Sequence, residues 1–364
     1  MLNFGFDHIL GNETASKYLC NLSLSEDVPQ SIIITGEEGV GKLQLAEQFA
    51  LSLLCENKPP KGPCGLCNNC QTYAQKHNPN IAYWYPKGQN TTIDQMRALK
   101  ELSMYPPIRA KYKINIIQKG DTLNEEASNS ILKIIEEPPT YLINILIYSN
   151  PHNILQTIRS RSIVVNLSPI NKDVIKSHLS KSHTLDPGFL DFAVSYSMGS
   201  IGKALILAEN EKREDLRQIT LDCVKSIITK PMDLLYLADI LSNKDNYFSE
   251  TGKITKEEIK ADPKLFYSYP IICEITSQEG VLFALDMISL IFRDMLVLKT
   301  SESKELINID KKDEIKAFSD KLTEEKIIKA INIIWETKDK LKANVNTAIS
   351  LQAMLCRLLF ELKK

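Results

Sequence analysis

Between residues 30 and 167 the chain alternates two hydrophobic rhythms. Short β-branched runs recur: SIIIT at 31–35, IAYWY at 81–85, INII at 114–117, INILIY at 143–148 and IVVNL at 163–167. Runs apolar at successive positions are the pattern of strands covered on both faces, as in a parallel sheet. The segments between them, such as LQLAEQFALSLL and NSILKIIEE, repeat apolar residues at helical spacing. This alternation predicts an α/β layered domain with a parallel sheet and flanking helices. After residue 168 the strand runs stop and the pattern is helical, from VIKSHL and DFAVSYSMGSIGKALILAE to LQAMLCRLLFELKK. Gly199 and Gly202 mark a turn there. Boundaries are expected near Pro169 and near Asn210, where the polar run ENEKRED begins. The expected division is therefore 1–168 (α/β), 169–210 (a small helical domain) and 211–364 (all helical). A polar stretch, SNKDNYFSETGKITKEEIKADPK at 242–264, reads as a long loop or insert.

A chain of 364 residues exceeds one ordinary core, in keeping with about two or three units. Lys plus Arg (44) nearly cancel Asp plus Glu (45), so no whole-chain field draws nucleic acid. Any DNA contact needs a local patch; Arg97, Lys100, Arg109, Lys111 and Lys113 offer one, although a solvated face is the favoured reading of these residues. No stretch reaches the roughly 18 apolar residues of a membrane span, and MLNFGFDHIL lacks a basic region followed by an apolar core. The cytosol is the expected compartment.

The string GEEGVGKL, Gly36 to Leu43, follows SIIIT and precedes a helical run. Such a loop aims backbone N–H groups and a helix N-terminus at phosphate oxygens. Gly36, Gly39 and Gly41 permit close approach, and Lys42 supplies a point charge. The alternative, a Gly-rich turn that binds nothing, lacks a reason for the correctly spaced lysine. Two departures follow. Leu43 stands where a Ser or Thr hydroxyl normally ligates Mg²⁺. The strand KINII runs into Gln118 and Lys119, where a metal-side carboxylate pair is expected, and Asp121 lies three residues on, turned into the loop. Without either group, hydrolysis by this chain alone is expected to fall by orders of magnitude, while a phosphate could still be held by Lys42 and the loop N–H groups.

Four of the eight cysteines cluster: Cys64, Cys67 and Cys70 in CGLCNNC, with Cys55 upstream. Cys20, Cys223, Cys273 and Cys356 stand alone, which is no disulfide framework. Four thiolates at this spacing match a closed tetrahedral zinc site that folds an insert too small for its own core. An iron–sulfur cluster, a redox pair and buried free thiols are the weaker alternatives. His77 reads as a surface residue. Arg159 and Arg161, in TIRSR before the last strand, lie at the sheet edge; on residue type alone a surface salt bridge is the favoured reading.

Taken together, GEEGVGK, the cysteine cluster, IDQMRAL around Asp94 and Arg97, SNSILKIIEEPP and TIRSRS resemble bacterial DNA polymerase III clamp-loader subunits of the AAA+ class. The resemblance covers residues 1 to about 210 well, and again NVNTAISLQAMLCRLL at 344–359, similar to the family's closing collar helix. It implies an AAA+ P-loop domain with a zinc module, a small helical lid and a helical collar. Motor subunits of the gamma or tau type keep the Ser/Thr, an Asp-Glu pair and a lid arginine; here Gly202 occupies that last position. The resemblance is therefore to the delta-prime type, which keeps an arginine finger and the zinc module around a degenerate nucleotide site. By this resemblance Arg161 matches the finger that reaches a neighbour's ATP, with Ser162 where the family often has Cys, and Lys133 and Glu136 match the helix bordering that interface. Cys55, Cys64, Cys67 and Cys70 match the zinc ligands. The partners implied are gamma/tau and delta subunits in a hetero-pentamer, and, through it, the sliding clamp and primer-template DNA; ATP or ADP would be bound, if at all, without hydrolysis. The alternatives are a self-sufficient motor subunit, with Asp121 handling the metal, and a zinc-stabilised DNA-binding module.

Overall fold

The computed structural model describes residues 4–57, 60–86, 90–209, 212–229, 278–300, 306–343 and 345–363. The polar stretch at 242–264 lies outside the described residues. The chain divides into two compact units, residues 1–182 with 197–205 and residues 183–196 with 206–364.

The first unit is built on five parallel strands: β1 (Ser31–Thr35), β2 (Ile81–Trp84), β3 (Lys113–Ile117), β4 (Leu142–Tyr148) and β5 (Ile163–Asn166), in the order β2-β3-β4-β1-β5. All five predicted runs are strands. β1 sits between β4 and β5, with Ile33 opposite Leu146 on one side and Val164 on the other. Because side chains alternate along a strand, Ile32 and Ile34 enter one core and Ile33 the other. The first core holds Leu45, Phe49 and Leu53 of α2 (Lys42–Leu54) and Leu19 of α1 (Glu13–Leu24). The second holds Met96 and Leu99 of α4 (Ile93–Ser103), Ile131 and Ile134 of α5 (Glu125–Glu136), and Ile158 of α6 (Gln156–Arg159). Between α2 and β2 lies the short α3 (Asn68–Ala74). α7 (Lys172–Ser182) follows β5. Residues 197–205, which include the start of α9 (Ile201–Glu209), also belong to this unit.

The second unit, among the described residues, is helical: α8 (Pro187–Ser197), α10 (Lys212–Thr229), α11 (Gln278–Thr300), α12 (Lys312–Ser319), α13 (Glu324–Lys342) and α14 (Thr347–Lys363). Leu221, Phe292, Met295, Ile327, Ile334 and Leu358 are central to its core. Inside it a buried polar network ties three segments. Arg217 donates to both carboxylate oxygens of Asp310 at 2.6 and 2.8 Å and to Asn308 Oδ1, and its guanidinium lies 3.8 Å from the Phe192 ring centroid. Asp294 accepts from the Ile307 and Asn308 backbone N–H groups. No described helix is long and apolar enough to cross a membrane.

Candidate functional site

β1 delivers the chain to the glycine loop, and α2 begins at Lys42, so the loop lies at the carboxyl edge of the sheet in front of a helix N-terminus. Gly36, Gly39 and Gly41 have φ of 149°, 81° and 96°. At Gly39 the requirement is also steric: a Cβ there would stand 2.2 Å from Ser200 Oγ. The Gly202 N–H donates to the Gly39 carbonyl at 2.9 Å, and a Cβ at Gly202 would come within 3.0 Å of the Gly39 Cα. The start of α9 therefore rests backbone to backbone on the loop.

Lys42 is buried, and its ammonium donates to the Gly36 and Glu37 carbonyls at 2.5 and 2.8 Å and to Ser149 Oγ at 3.4 Å. Burial pushes its pKa down, and the carboxylates of Glu38, Asp121 and Glu37 oppose that shift. Leu43 packs against the α2-side core, so an isobutyl group occupies the position of the expected metal-ligating hydroxyl. Past β3 the chain uses Gln118 N–H to extend the sheet ladder to Trp84 and turns through Lys119 at φ 51°. The Asp121 carboxylate clamps the loop after β4, accepting from Ser149 N–H at 2.6 Å, Asn150 N–H at 3.0 Å and Asn153 Nδ2 at 3.3 Å. The sequence reading turned Asp121 into the loop but did not foresee this anchoring or the approach of Ser149 to Lys42. The position of Ser149, directly after the mostly apolar strand β4, was the available signal.

The cysteine cluster assembles from three pieces: Cys55 at the end of α2, Cys64 in the following loop, and Cys67 and Cys70 at the start of α3. The four Sγ atoms lie within 4.8 Å of one another, with Cys64 and Cys70 4.0 Å apart. Four sulfurs at about 2.3 Å from one ion would be separated by such distances, so the donor set fits a tetrahedral metal. Backbone N–H groups point at the sulfurs, from Cys64 to Cys55 Sγ at 3.3 Å and from Leu66 and Cys67 to Cys64 Sγ at 3.4 and 3.3 Å. Burial raises the Cys64 thiol, but these N–H groups and the neighbouring Cys55 and Cys67 outweigh it and hold the pKa at about 6. Burial pushes the Cys70 thiol up. N–H···S bonds of this kind steady thiolate ligands. Phe4, edge-on to Tyr73, and Gly5, whose N–H donates to Gln48 Oε1 at 2.8 Å, strap the chain's start across the cluster.

The two arginines of TIRSR part company. Arg159 lines a cavity of about 350 Å³ beside Gly36, with Thr35, His152 and Asn166. Arg161 lies in the turn before β5; its NH2 pairs with Glu136 Oε1 at 3.0 Å and its NH1 donates to the Thr157 carbonyl at 3.0 Å. Ser162 Oγ lies 2.7 Å from Ser31 Oγ, which sets Arg161 at the amino edge of the sheet. With about 3.3 Å of rise per residue, the start of β1 and Gly36 are separated by roughly 16 Å along the strand direction, so Arg161 and the glycine loop occupy opposite edges. Lys133 is exposed on the same helix as Glu136. Of the basic residues near α4, Arg97 pairs with Asp94 at 3.2 Å, Lys113 donates to the Leu102 and Tyr105 carbonyls, and Lys111 lies over the Tyr112 ring.

The family model described as DNA polymerase III, delta subunit, matches residues 11–171, and the model of that subunit's C-terminal part matches 272–359. The chain belongs to the DNA polymerase III clamp-loader family. Among its relatives, the delta′ subunit of Bacillus subtilis is 24% identical over 333 residues, 91% of each chain. The tau/gamma subunit of Haemophilus influenzae is 27% identical over 65% of this clamp-loader chain. The chain spans about a third of the length of the first tau relatives it matches, 35% in Haemophilus influenzae and 37% in Bacillus subtilis. A solved gamma-subunit-related protein of Thermotoga maritima aligns with 96% of the chain and 99% of its own at a TM-score of 0.48 and 19% identity. The parallel sheet, cysteine cluster and helical C-terminal part form the AAA+ clamp-loader fold.

Proposed function

We propose that this chain is the delta-prime-type subunit of a clamp loader: it does not hydrolyse ATP itself and supplies Arg161 to the ATP site of an adjacent motor subunit. The observation that carries the reading is the pairing of a disarmed loop with an exposed arginine at the opposite edge of the sheet. At one edge Leu43 and Gln118 replace metal-holding groups, and Lys42 is engaged by carbonyls and acidic neighbours. At the other, Arg161 is too far from the chain's own loop to serve it. An arginine given to a neighbour's nucleotide stabilises transition-state charge, an effect worth about 10³ to 10⁵ in rate. The alignment across 91% of a delta′ relative supports the same assignment. In this reading the chain is divided into 1–168, 169–210 as lid and 211–364 as collar, it joins gamma/tau and delta subunits in a hetero-pentamer in the cytoplasm, and the assembly loads the sliding clamp on primer-template DNA. Zinc fills the four-cysteine site as a structural ion, because the set is closed and leaves no position for a substrate.

A complex reconstituted with motor and delta subunits tests this. Arg161→Ala is expected to leave the chain folded and to lower clamp-dependent ATP turnover by about 10³-fold or more at the site it serves; unchanged turnover removes Arg161 from the mechanism. A second reading, a motor subunit of the gamma/tau type, is favoured by the similar identity to tau/gamma relatives. ATP turnover by the isolated chain that Lys42→Ala abolishes would establish it instead.

A further inference from the structure

The guanidinium of Arg161 is held at two points on its own chain. NH2 meets Glu136 Oε1 at 3.0 Å, while NH1 donates to the Thr157 carbonyl at 3.0 Å and reaches Ser160 Oγ at 3.3 Å. Both side chains of the ion pair remain about two-fifths exposed, 41% for Arg161 and 44% for Glu136. A pair this open to water contributes little to stability.

Nor does Glu136 serve its own helix. It is the last residue of α5, the end at which the helix dipole favours a cation and disfavours a carboxylate. The helix stops there because Pro138 and Pro139 follow, and prolines fix the backbone and disfavour helix in the residue before them. The carboxylate is thereby mounted on a rigid stub, packed through Ile131, Ile134 and Ile135 into the sheet core. An arginine, by contrast, is long and loses much rotamer freedom when it is fixed on a phosphate.

We propose that Glu136 is the positioning residue for Arg161: it fixes one edge of the guanidinium against α5 so that the remaining N–H groups face outward in the orientation a neighbour's nucleotide requires. The inference rests on the arginine-finger reading above. Glu136 touches no nucleotide in this scheme and acts through Arg161. Its amide variant keeps an oxygen that accepts the NH2 hydrogen bond and loses only the charge.

The test uses the reconstituted complex and the isolated full chain in parallel. In the complex, Glu136→Ala is expected to lower kcat about fivefold to tenfold with KM unchanged, because misplacing a catalytic group affects the transition state more than ground-state binding. Glu136→Gln is expected to keep kcat within about twofold. Adding Glu136→Ala to Arg161→Ala is expected to change nothing further, since neighbours acting as one unit are non-additive. On the isolated chain, phenylglyoxal modification of Arg161, followed by peptide mass spectrometry with Arg159 as reference, is expected to speed up several-fold in Glu136→Ala. Loss of turnover in Arg161→Ala with full turnover in Glu136→Ala overturns the positioning role and leaves the finger intact. Full turnover in Arg161→Ala overturns the finger itself. Faster turnover in Glu136→Ala would make the carboxylate a brake and overturns the proposal, as does an unchanged modification rate at Arg161.

Discussion

An arginine at residue 202 would need volume that the Gly39 backbone already fills, since even a Cβ there would lie 3.0 Å from the Gly39 Cα. The lack of a side chain at residue 202 and the seat of α9 on the glycine loop go together: backbone meets backbone through the Gly202 N–H. Gly202→Arg is expected to destabilise the chain by about 1 to 3 kcal/mol, the usual range for overpacking a close contact, read as a lower denaturant midpoint. Unchanged stability would mean that the loop gives way at little cost. Leu43 poses the complementary case. Leu43→Thr restores a hydroxyl but no carboxylate at Gln118, so it is expected to leave the isolated chain without measurable ATP turnover; turnover in a phosphate-release assay would show that Asp121 or its neighbours can hold the metal.

At the scale of elements, the cysteine insert and the α10 network depend on a few polar or metal-binding groups more than on area. Cys67→Ser is expected to take zinc, measured by elemental analysis, from about one per chain to near none, and to lower the melting temperature of the first unit, because metal affinity is folding energy in such modules. Iron in the native preparation, or full stability without metal, would sink the zinc assignment. Arg217→Ala removes a buried guanidinium and leaves Asp310, whose side chain is 19% exposed, without its cation, and is expected to cost about 1 to 3 kcal/mol; a loss well under about 1 kcal/mol would show that the pair behaves as a surface bridge. The sequence exposed these elements unequally. The five strands were legible because the central strands of a parallel sheet are covered on both faces, which leaves apolar runs such as Ile32–Ile34 of β1. The cysteine cluster was legible through its spacing. The Arg217 network was not: it joins residues about ninety positions apart (217 with 308 and 310), and nothing in the local rhythm of α10 marks Arg217 as buried. Likewise, TIRSR gave no hint that Arg159 and Arg161 would separate, because that depends on where α6 ends and on Glu136 waiting beside the turn. Asp121 was placed in the loop, but its backbone partners after β4 come from a strand crossing that periodicity does not encode.

For the whole molecule, the distribution of charge matters more than its sum. Net charge is −1, and three of the α4-side basic residues meet partners within the chain: Arg97 with Asp94, Lys113 with two carbonyls, and Lys111 with Tyr112. The isolated chain is accordingly expected to bind primed DNA weakly and with a shallow salt dependence. Tight binding that falls steeply between about 50 and 200 mM salt would revive the DNA-binding alternative.

The strand order carries one more consequence, for the growing chain on the ribosome. β1 is made first, yet its neighbours are β4 and β5, the last two strands of the sheet. At about 5 to 20 residues per second, the segment Ile32–Ile34 waits roughly 5 to 25 seconds for residues 142–166, with its edges unpaired and its side chains uncovered. A nascent chain stalled before β4 therefore holds no half-finished sheet around its glycine loop, only an apolar strand without partners, the kind of segment that chaperones and proteases recognise.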